Sequence, residues 1–321
     1  MQRIQIPGMS IPLRRIQTSD LLVAYLEDGA REGWPVVLAH GFPYDVHAFD
    51  DVVPLLIEQG ARVIRPFVRG YGPTSFLSSS TMRSGQQAAL GRDLIEILGA
   101  LGIEGAIVAG FDWGGLASCV AAALWPDKIG GLVSYASYDI VDIEAQGKGF
   151  PLFLEKSMWY QHLFQTDRGR VALTKSRKEL ARMLWSEWSP NWNFNEATLS
   201  KTAASFDNPD FVDVVLHCYR FHFGLADGDP KFQPLEALLA SRPPITVPSV
   251  TLDGTDDPLK PGGTAEHAKM FISRHEHRVI KAGHNIPKED PSAFANAIFT
   301  VRQWSAEGNG RLPDDQIDSS S

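Results

Sequence analysis

The sequence predicts an α/β domain with a mostly parallel central sheet, interrupted by a helical insertion. Three observations predict it. Short β-branched runs alternate with helical periods through the first 140 residues, the alternation stops between about residues 140 and 234, and it resumes from Ile245. A chain of 321 residues, 44% hydrophobic and 21% charged, is long enough and apolar enough to bury such a core.

Pro35 to Ala39 (PVVLA) reads as a buried strand, as does Ala61 to Ile64 with Pro66-Phe67-Val68 after it. His47 to Ile57 has a helical period between them. From Gly85 to Leu101, the positions Leu90, Leu94, Ile97 and Leu101 recur at helical spacing. Gly105 to Gly110 (GAIVAG) is again a strand, followed by a small-residue helix from Gly114 to Leu124 and a strand from Lys128 to Tyr135. In the insertion, Leu173, Leu180 and Leu184 are expected to share a helical face, and Asn208-Pro209-Asp210 reads as a helix start with Asn208 as cap. Strands over Ile245 to Leu252 and Arg278 to Lys281 alternate with helices over Ala265 to Ile272 and Ser292 to Trp304. The expected organisation is a core of residues 1–139 and 235–307, a helical cap of 140–234, and a polar, disordered tail of 308–321.

The net charge of −8 argues against nucleic acid, because there is no basic excess to displace phosphate counterions. Cys119 and Cys218 fit no metal spacing or disulfide framework and read as buried thiols of a reducing compartment. Met1 to Gly8 holds no signal-peptide core, and no apolar run reaches the roughly 18 residues that a membrane span needs. The expectation is a cytoplasmic monomer or homodimer that does not insert into membranes.

Gly110-Phe111-Asp112-Trp113-Gly114 lies between a strand and a helix and fits the G-x-Nu-x-G elbow of the α/β-hydrolase fold. Such a turn lifts its central side chain above the carboxyl edge of the sheet, beside a helix N-terminus that favours an anion. Here that side chain is a carboxylate. With an ordinary pKa of ~3.9 it is ionised without a helper base and can displace a leaving group at saturated carbon, forming an ester on the enzyme. Cleaving that ester at the Asp112 carbonyl then needs a general base and an oxyanion hole. The backbone amides of Phe42, in His40-Gly41-Phe42-Pro43, and of Trp113 are the candidates for the hole. His40 itself reads as structural.

His284, in Ala282-Gly283-His284-Asn285, is chosen from nine histidines as the base, because it alone comes late in the chain on a strand-to-helix loop. His275 and His277 lack a third ligand and read as exposed polar residues, so no metal is expected. Asp257, just before Pro258, is chosen as the acid that orients His284, with Asp256 and Asp139 as alternatives. The order nucleophile, acid, histidine agrees with the fold.

The elbow G-F-D-W-G-G, the loop H-G-F-P, Arg69-Gly70-Tyr71-Gly72 and the closing G-H-N-I-P-K-E-D-P together resemble the soluble epoxide hydrolases of the α/β-hydrolase superfamily. The resemblance runs through nearly the whole chain. Phe111 departs from it by standing where the family usually has histidine, and Phe67 by replacing an aspartate. The resemblance implies a helical cap carrying two tyrosines that point at the nucleophile. Tyr160, in W-Y-Q-H-L-F-Q, and Tyr219, in H-C-Y-R, look like that pair, while Tyr25, Tyr44, Tyr71, Tyr135 and Tyr138 read as structural. A neutral acid of pKa ~10 suits an epoxide, whose opening expels a strongly basic alkoxide; a departing halide needs no proton. The implied reaction converts a small apolar epoxide and water to a vicinal diol, without a cofactor. Haloalkane dehalogenases resemble the chain in the elbow too, and would use the Trp113 indole as a halide donor, with Trp159, Trp185 or Trp188 contributing. A third expectation is a catalytically idle fold that binds a small apolar ligand.

Overall fold

The computed structural model describes residues 12–146 and 148–308. The expectations for Met1 to Gly8 and for the polar tail beyond residue 308 lie outside the described residues.

The nine strands among the described residues are β1 (Arg14–Gln17), β2 (Leu21–Asp28), β3 (Trp34–Ala39), β4 (Ala61–Pro66), β5 (Ser75–Phe76), β6 (Ala106–Gly110), β7 (Ile129–Tyr135), β8 (Ser249–Gly254) and β9 (His275–Ile280). They form one sheet in the order β1-β2-β4-β3-β6-β7-β8-β9, with β5 paired to β2. From β4 to β9 every pairing is parallel; β1, β2 and β5 add an antiparallel edge. β3, β6 and β7 are covered on both faces, which is why they read as unbroken apolar runs rather than as alternating ones.

Helices α1 (Val53–Glu58), α2 (Gln87–Leu101) and α3 (Trp113–Leu124) follow the early strands. Between β7 and β8 come α4 (Ile143–Gln146), α5 (Leu152–Ser157), α6 (Trp159–Phe164), α7 (Asp167–Lys175), α8 (Arg177–Trp188), α9 (Glu196–Ala203), α10 (Phe211–His222) and α11 (Gln233–Ala240). After β9 the chain forms α12 (Ile286–Glu289) and α13 (Pro291–Ala306).

The helical insertion is tied to the core by buried polar contacts as well as by aromatic packing. The Asp45 carboxylate, on the loop after β3, accepts from Thr202 Oγ1 (3.0 Å) and Ser205 Oγ (2.6 Å). The Trp185 indole donates to Pro43 O at 3.1 Å, and the Gly85 amide donates to His217 Nδ1 at 3.0 Å.

Several sequence expectations change. The strand expected from Ile245 begins at Ser249, because Ile245 makes only an isolated bridge to Phe271. Ala265–Met270 is a 3₁₀ helix. The strand expected at Arg278 starts at His275, so His275 and His277 are half-buried strand residues, not exposed ones. Both rings bond Thr251 Oγ1 (2.9 and 3.0 Å), and His277 Nε2 lies 3.1 Å from Asp253 Oδ2. Leu173 sits on α7, separated by Ser176 from Leu180 and Leu184 on α8. Asn208 does not cap α10 directly; its amide donates to Gly72 O and Thr74 O, while its Oδ1 accepts from the Asp210 amide.

Among the described residues no helix is long and apolar enough to cross a membrane. Cys119 and Cys218 are buried and free.

Arg69, 1% exposed, forms a two-pronged pair with Asp93, each contact 2.7 Å, and donates to Ser84 O. Removing one partner would leave a buried charge uncompensated. Asp93→Ala is therefore expected to lower stability by about 3–5 kcal/mol in urea unfolding; a loss below about 1 kcal/mol, the size of an exposed pair, would contradict this reading.

Candidate active site

Asp112 immediately precedes α3 in the turn after β6, at φ 53° and ψ −132°. A non-glycine residue at positive φ stores roughly 1–3 kcal/mol and persists only where its surroundings force it. Here they do. A Cβ at Gly114 would overlap the Ala39 carbonyl, and one at Gly41 would overlap Asp112 Oδ1. These two glycines let the elbow press against the end of β3 and let the His40-Gly41-Phe42 backbone approach the carboxylate.

That approach sets the geometry. Asp112 Oδ1 accepts from the Phe42 amide at 2.7 Å and from the Trp113 amide at 2.7 Å. Both expected N–H groups thus converge on a single oxygen. Asp112 Oδ2 has no backbone partner and faces His284 Nε2 at 3.4 Å. His284 Nδ1 lies 2.8 Å from Asp257 Oδ2, and Asp257 Oδ1 accepts from the Leu259 amide at 2.8 Å.

The alternatives for the acid have other partners. Asp256 bonds Asn191 Nδ2 at 2.6 Å, and Asp139 pairs with Lys260 at 3.5 Å. His40 is fully buried, with Nδ1 against Gly41 O and Nε2 accepting from the Val68 amide. Burial pushes its pKa down to about 4, so it braces the loop as a neutral ring.

The histidine loop is held from the insertion and from α12. The His284 amide donates to Trp188 O at 2.9 Å, the Gly283 amide to Glu289 Oε2, and the Asn285 amide to Ser189 Oγ. Tyr135, expected to be structural, contacts this centre directly. Its hydroxyl lies 3.0 Å from Asp257 Oδ2 and 2.8 Å from Gly283 O. No local motif marks Tyr135; it is the last residue of β7, and only the β7–β8 pairing brings it beside the acid.

Burial alone would lower the His284 pKa, but the Asp257 and Asp112 carboxylates outweigh it and raise the value to about 10. The Asp257 carboxyl, which burial would push up, is held below its ordinary value by His284 and by its other donors.

A cavity of about 280 Å³ opens beside these groups, lined by Asp112, His284, Tyr160, Tyr219 and Trp113 together with apolar side chains. Tyr160 and Tyr219 are buried, with ring centroids 5.4 Å apart and planes at 89°. Phe42 stacks on Tyr160 and meets Tyr219 edge-on. Burial, with the Asp112 charge adding to it, pushes both phenols far above their ordinary pKa. Gln161 Nε2 donates to Tyr160 Oη at 2.9 Å. Among the described residues no group of three or more His, Cys, Asp or Glu could hold a metal ion.

Residues 35–291 match the family model described as alpha/beta hydrolase fold. The chain belongs to that family. A solved structure of a provisionally assigned epoxide hydrolase from Klebsiella pneumoniae subsp. pneumoniae is similar to this α/β hydrolase, with 40% identity and a TM-score of 0.89, covering 91% of this chain and 97% of that one. Epoxide hydrolase A of Mycobacterium tuberculosis is 30% identical over 122 residues, 38% of this chain; the match spans only 37% of that relative's length. A haloalkane dehalogenase of Psychrobacter cryohalolentis is 23% identical over 276 residues, 85% of this chain and 84% of its own.

The raised pKa of His284 has a consequence for stability. A histidine whose folded pKa exceeds its ordinary value near 6.5 contributes stability that is fully present below that value and lost as pH rises through the folded pKa. Between about pH 6.5 and about pH 10, the wild-type protein should lose more thermal stability than His284→Gln, in which this group does not titrate. Parallel Tm–pH curves for the two proteins would show that His284 is not held charged.

Proposed function

We propose that this α/β hydrolase is an epoxide hydrolase that opens a small apolar epoxide to a vicinal diol through an ester on Asp112. The observation that carries this reading is a single cavity lined jointly by the carboxylate, the imidazole and two phenols kept protonated by burial. The names borne by the Klebsiella and Mycobacterium relatives point the same way.

In the first step Asp112 Oδ2 attacks an epoxide carbon, and the carbon–oxygen bond of the ring breaks as the ester bond forms. The alkoxide takes a proton from Tyr160 or Tyr219. The hydrogen bond that Gln161 donates to the Tyr160 oxygen stabilises the phenolate left by such a transfer. Asp112 Oδ1 becomes the ester carbonyl oxygen and stays between the Phe42 and Trp113 amides, where the oxyanion of the second step will form.

Forming the ester also removes the charge of Asp112, one of the two carboxylates that hold the proton on His284. The imidazole's affinity for its proton falls, and the proton returns to the phenolate. His284 is now neutral and oriented by Asp257. It accepts a proton from water as the water oxygen bonds to the ester carbon. Collapse of the tetrahedral adduct expels the diol oxygen, which takes the hydroxyl proton of the new carboxylic acid. Carboxylate, imidazolium and both phenols are restored, so epoxide and water enter and only diol leaves.

Halide displacement would need indole donors rather than phenols. Among the described lining residues Trp113 is the one tryptophan. The indoles of Trp159 and Trp185 donate to Glu187 and to Pro43 O. Trp188 lies against His284 but does not line the cavity. The phenols therefore favour the epoxide.

A panel of terminal and aryl epoxides read as diol, run beside chloro- and bromoalkanes read as halide, tests the reading. Diol without halide is expected, and halide without diol would overturn it. Asp112→Ala should abolish turnover. Replacing both Tyr160 and Tyr219 by Phe should lower kcat/KM by about 10²–10⁴-fold, the usual contribution of a positioned general acid.

A further inference from the structure

The same cavity holds one charged pair that the chemistry above leaves unused. Asp139 follows β7 and Lys260 lies three residues beyond Asp257 on the loop after β8; both line the cavity. Their contact is loose. Lys260 Nζ lies 3.5 Å from Asp139 Oδ1, well beyond the ~2.7–2.9 Å of a tight charge-assisted hydrogen bond. The two side chains keep 37% and 20% of their surface open, whereas that of Asp257 keeps none. Both ring nitrogens of His284 are already engaged, by Asp257 and by Asp112.

Much of the remaining lining is apolar, including Leu116, Val141, Phe150, Leu154, Met158 and Leu259. An open, slack ion pair against such a wall is costly unless something completes its hydrogen bonds. Lys260 offers spare N–H donors and Asp139 a spare acceptor, an arrangement matched by a group that both donates and accepts. An anion is disfavoured, because Asp112, Asp139 and Asp257 set three carboxylates against the two cations His284 and Lys260.

We propose that Lys260 and Asp139 form a specificity subsite for a neutral hydroxyl on the substrate, so that the preferred epoxides are hydroxylated ones with an apolar stretch between hydroxyl and ring. This rests on the epoxide hydrolase reading and narrows its substrate class. Lys260 also closes the Asp257 loop, its amide donating to Asp257 O at 3.3 Å. That bond uses only the backbone, so side-chain substitution at Lys260 spares it.

The test compares 1,2-epoxyalkanes with their ω-hydroxy counterparts over a series of chain lengths, in the wild type and in Lys260→Met. A hydroxyl is expected to lower KM by about tenfold at one chain length, equivalent to about 1.4 kcal/mol. In Lys260→Met that preference should vanish while the unsubstituted epoxides react as before. Asp139→Leu, in which the acceptor is removed, should lose the same preference and serves if Lys260→Met does not fold. Absence of a hydroxyl preference at every chain length, or its survival in either variant, overturns the subsite.

Calorimetric titration with the corresponding 1,2-diols and 1,2,ω-triols needs no turnover and separates the two readings. If no epoxide reacts, the proposed reaction fails. The subsite then stands only if the triol binds more tightly than the diol and Lys260→Met removes the difference, and equal binding overturns it.

Discussion

Two backbone N–H groups aimed at one oxygen of Asp112 organise the centre. Because the Phe42 and Trp113 amides both take Oδ1, the carboxylate cannot rotate without losing two hydrogen bonds, and Oδ2 stays turned toward His284. The parallel pairing of β3 with β6 brings Ala39 beside Gly110, which sets the His-Gly-Phe loop next to the elbow. The strained backbone of Asp112 and the bare Cα atoms of Gly41 and Gly114 are what that closeness demands. The insertion completes the frame, since Trp185 anchors the loop after β3 and Trp188 O anchors His284.

Electrostatics then assigns each group a time to act. Flanked by Asp112 and Asp257, His284 is held protonated before reaction despite its burial. In the proposed reaction, alkylation of Asp112 would cancel one of those charges, so that the imidazole would become a base only once there is an ester to cleave. The phenols run the other way. Burial beside a carboxylate keeps them protonated, as a donor to the alkoxide of the proposed reaction must be. The apolar lining makes the Lys260–Asp139 pair on the cavity wall stand out against its surroundings.

The parallel core was legible because its strands are buried on both faces and its turns must be glycine-rich; G-F-D-W-G-G states the elbow's steric demand directly. Phe42, Trp113, His284 and Asp257 could be picked from order and loop position, and the structure brings all four to Asp112 or to one another. The antiparallel edge was not picked out: the exposed residues of Arg14–Gln17 give β1 no apolar run, and β2, though an apolar run over Leu21–Leu26, was overlooked. The His275 and His277 pair was misjudged because its partners, Thr251 and Asp253, lie on a neighbouring strand. Tyr135 was read as structural, Asp139 only as an alternative acid, and Lys260 was not singled out, for the same reason. Long-range pairing decides what they touch, and neither spacing nor composition records it.

A single turnover in ¹⁸O-labelled water, with enzyme in excess over an epoxide, tests the central claim most directly. If Asp112 forms an ester that water cleaves at the carbonyl held by Phe42 and Trp113, the label enters the Asp112 peptide and the first diol released is unlabelled. Label in that first diol, with an unlabelled Asp112 peptide, would mean that water attacks the epoxide itself and that Asp112 is not the nucleophile.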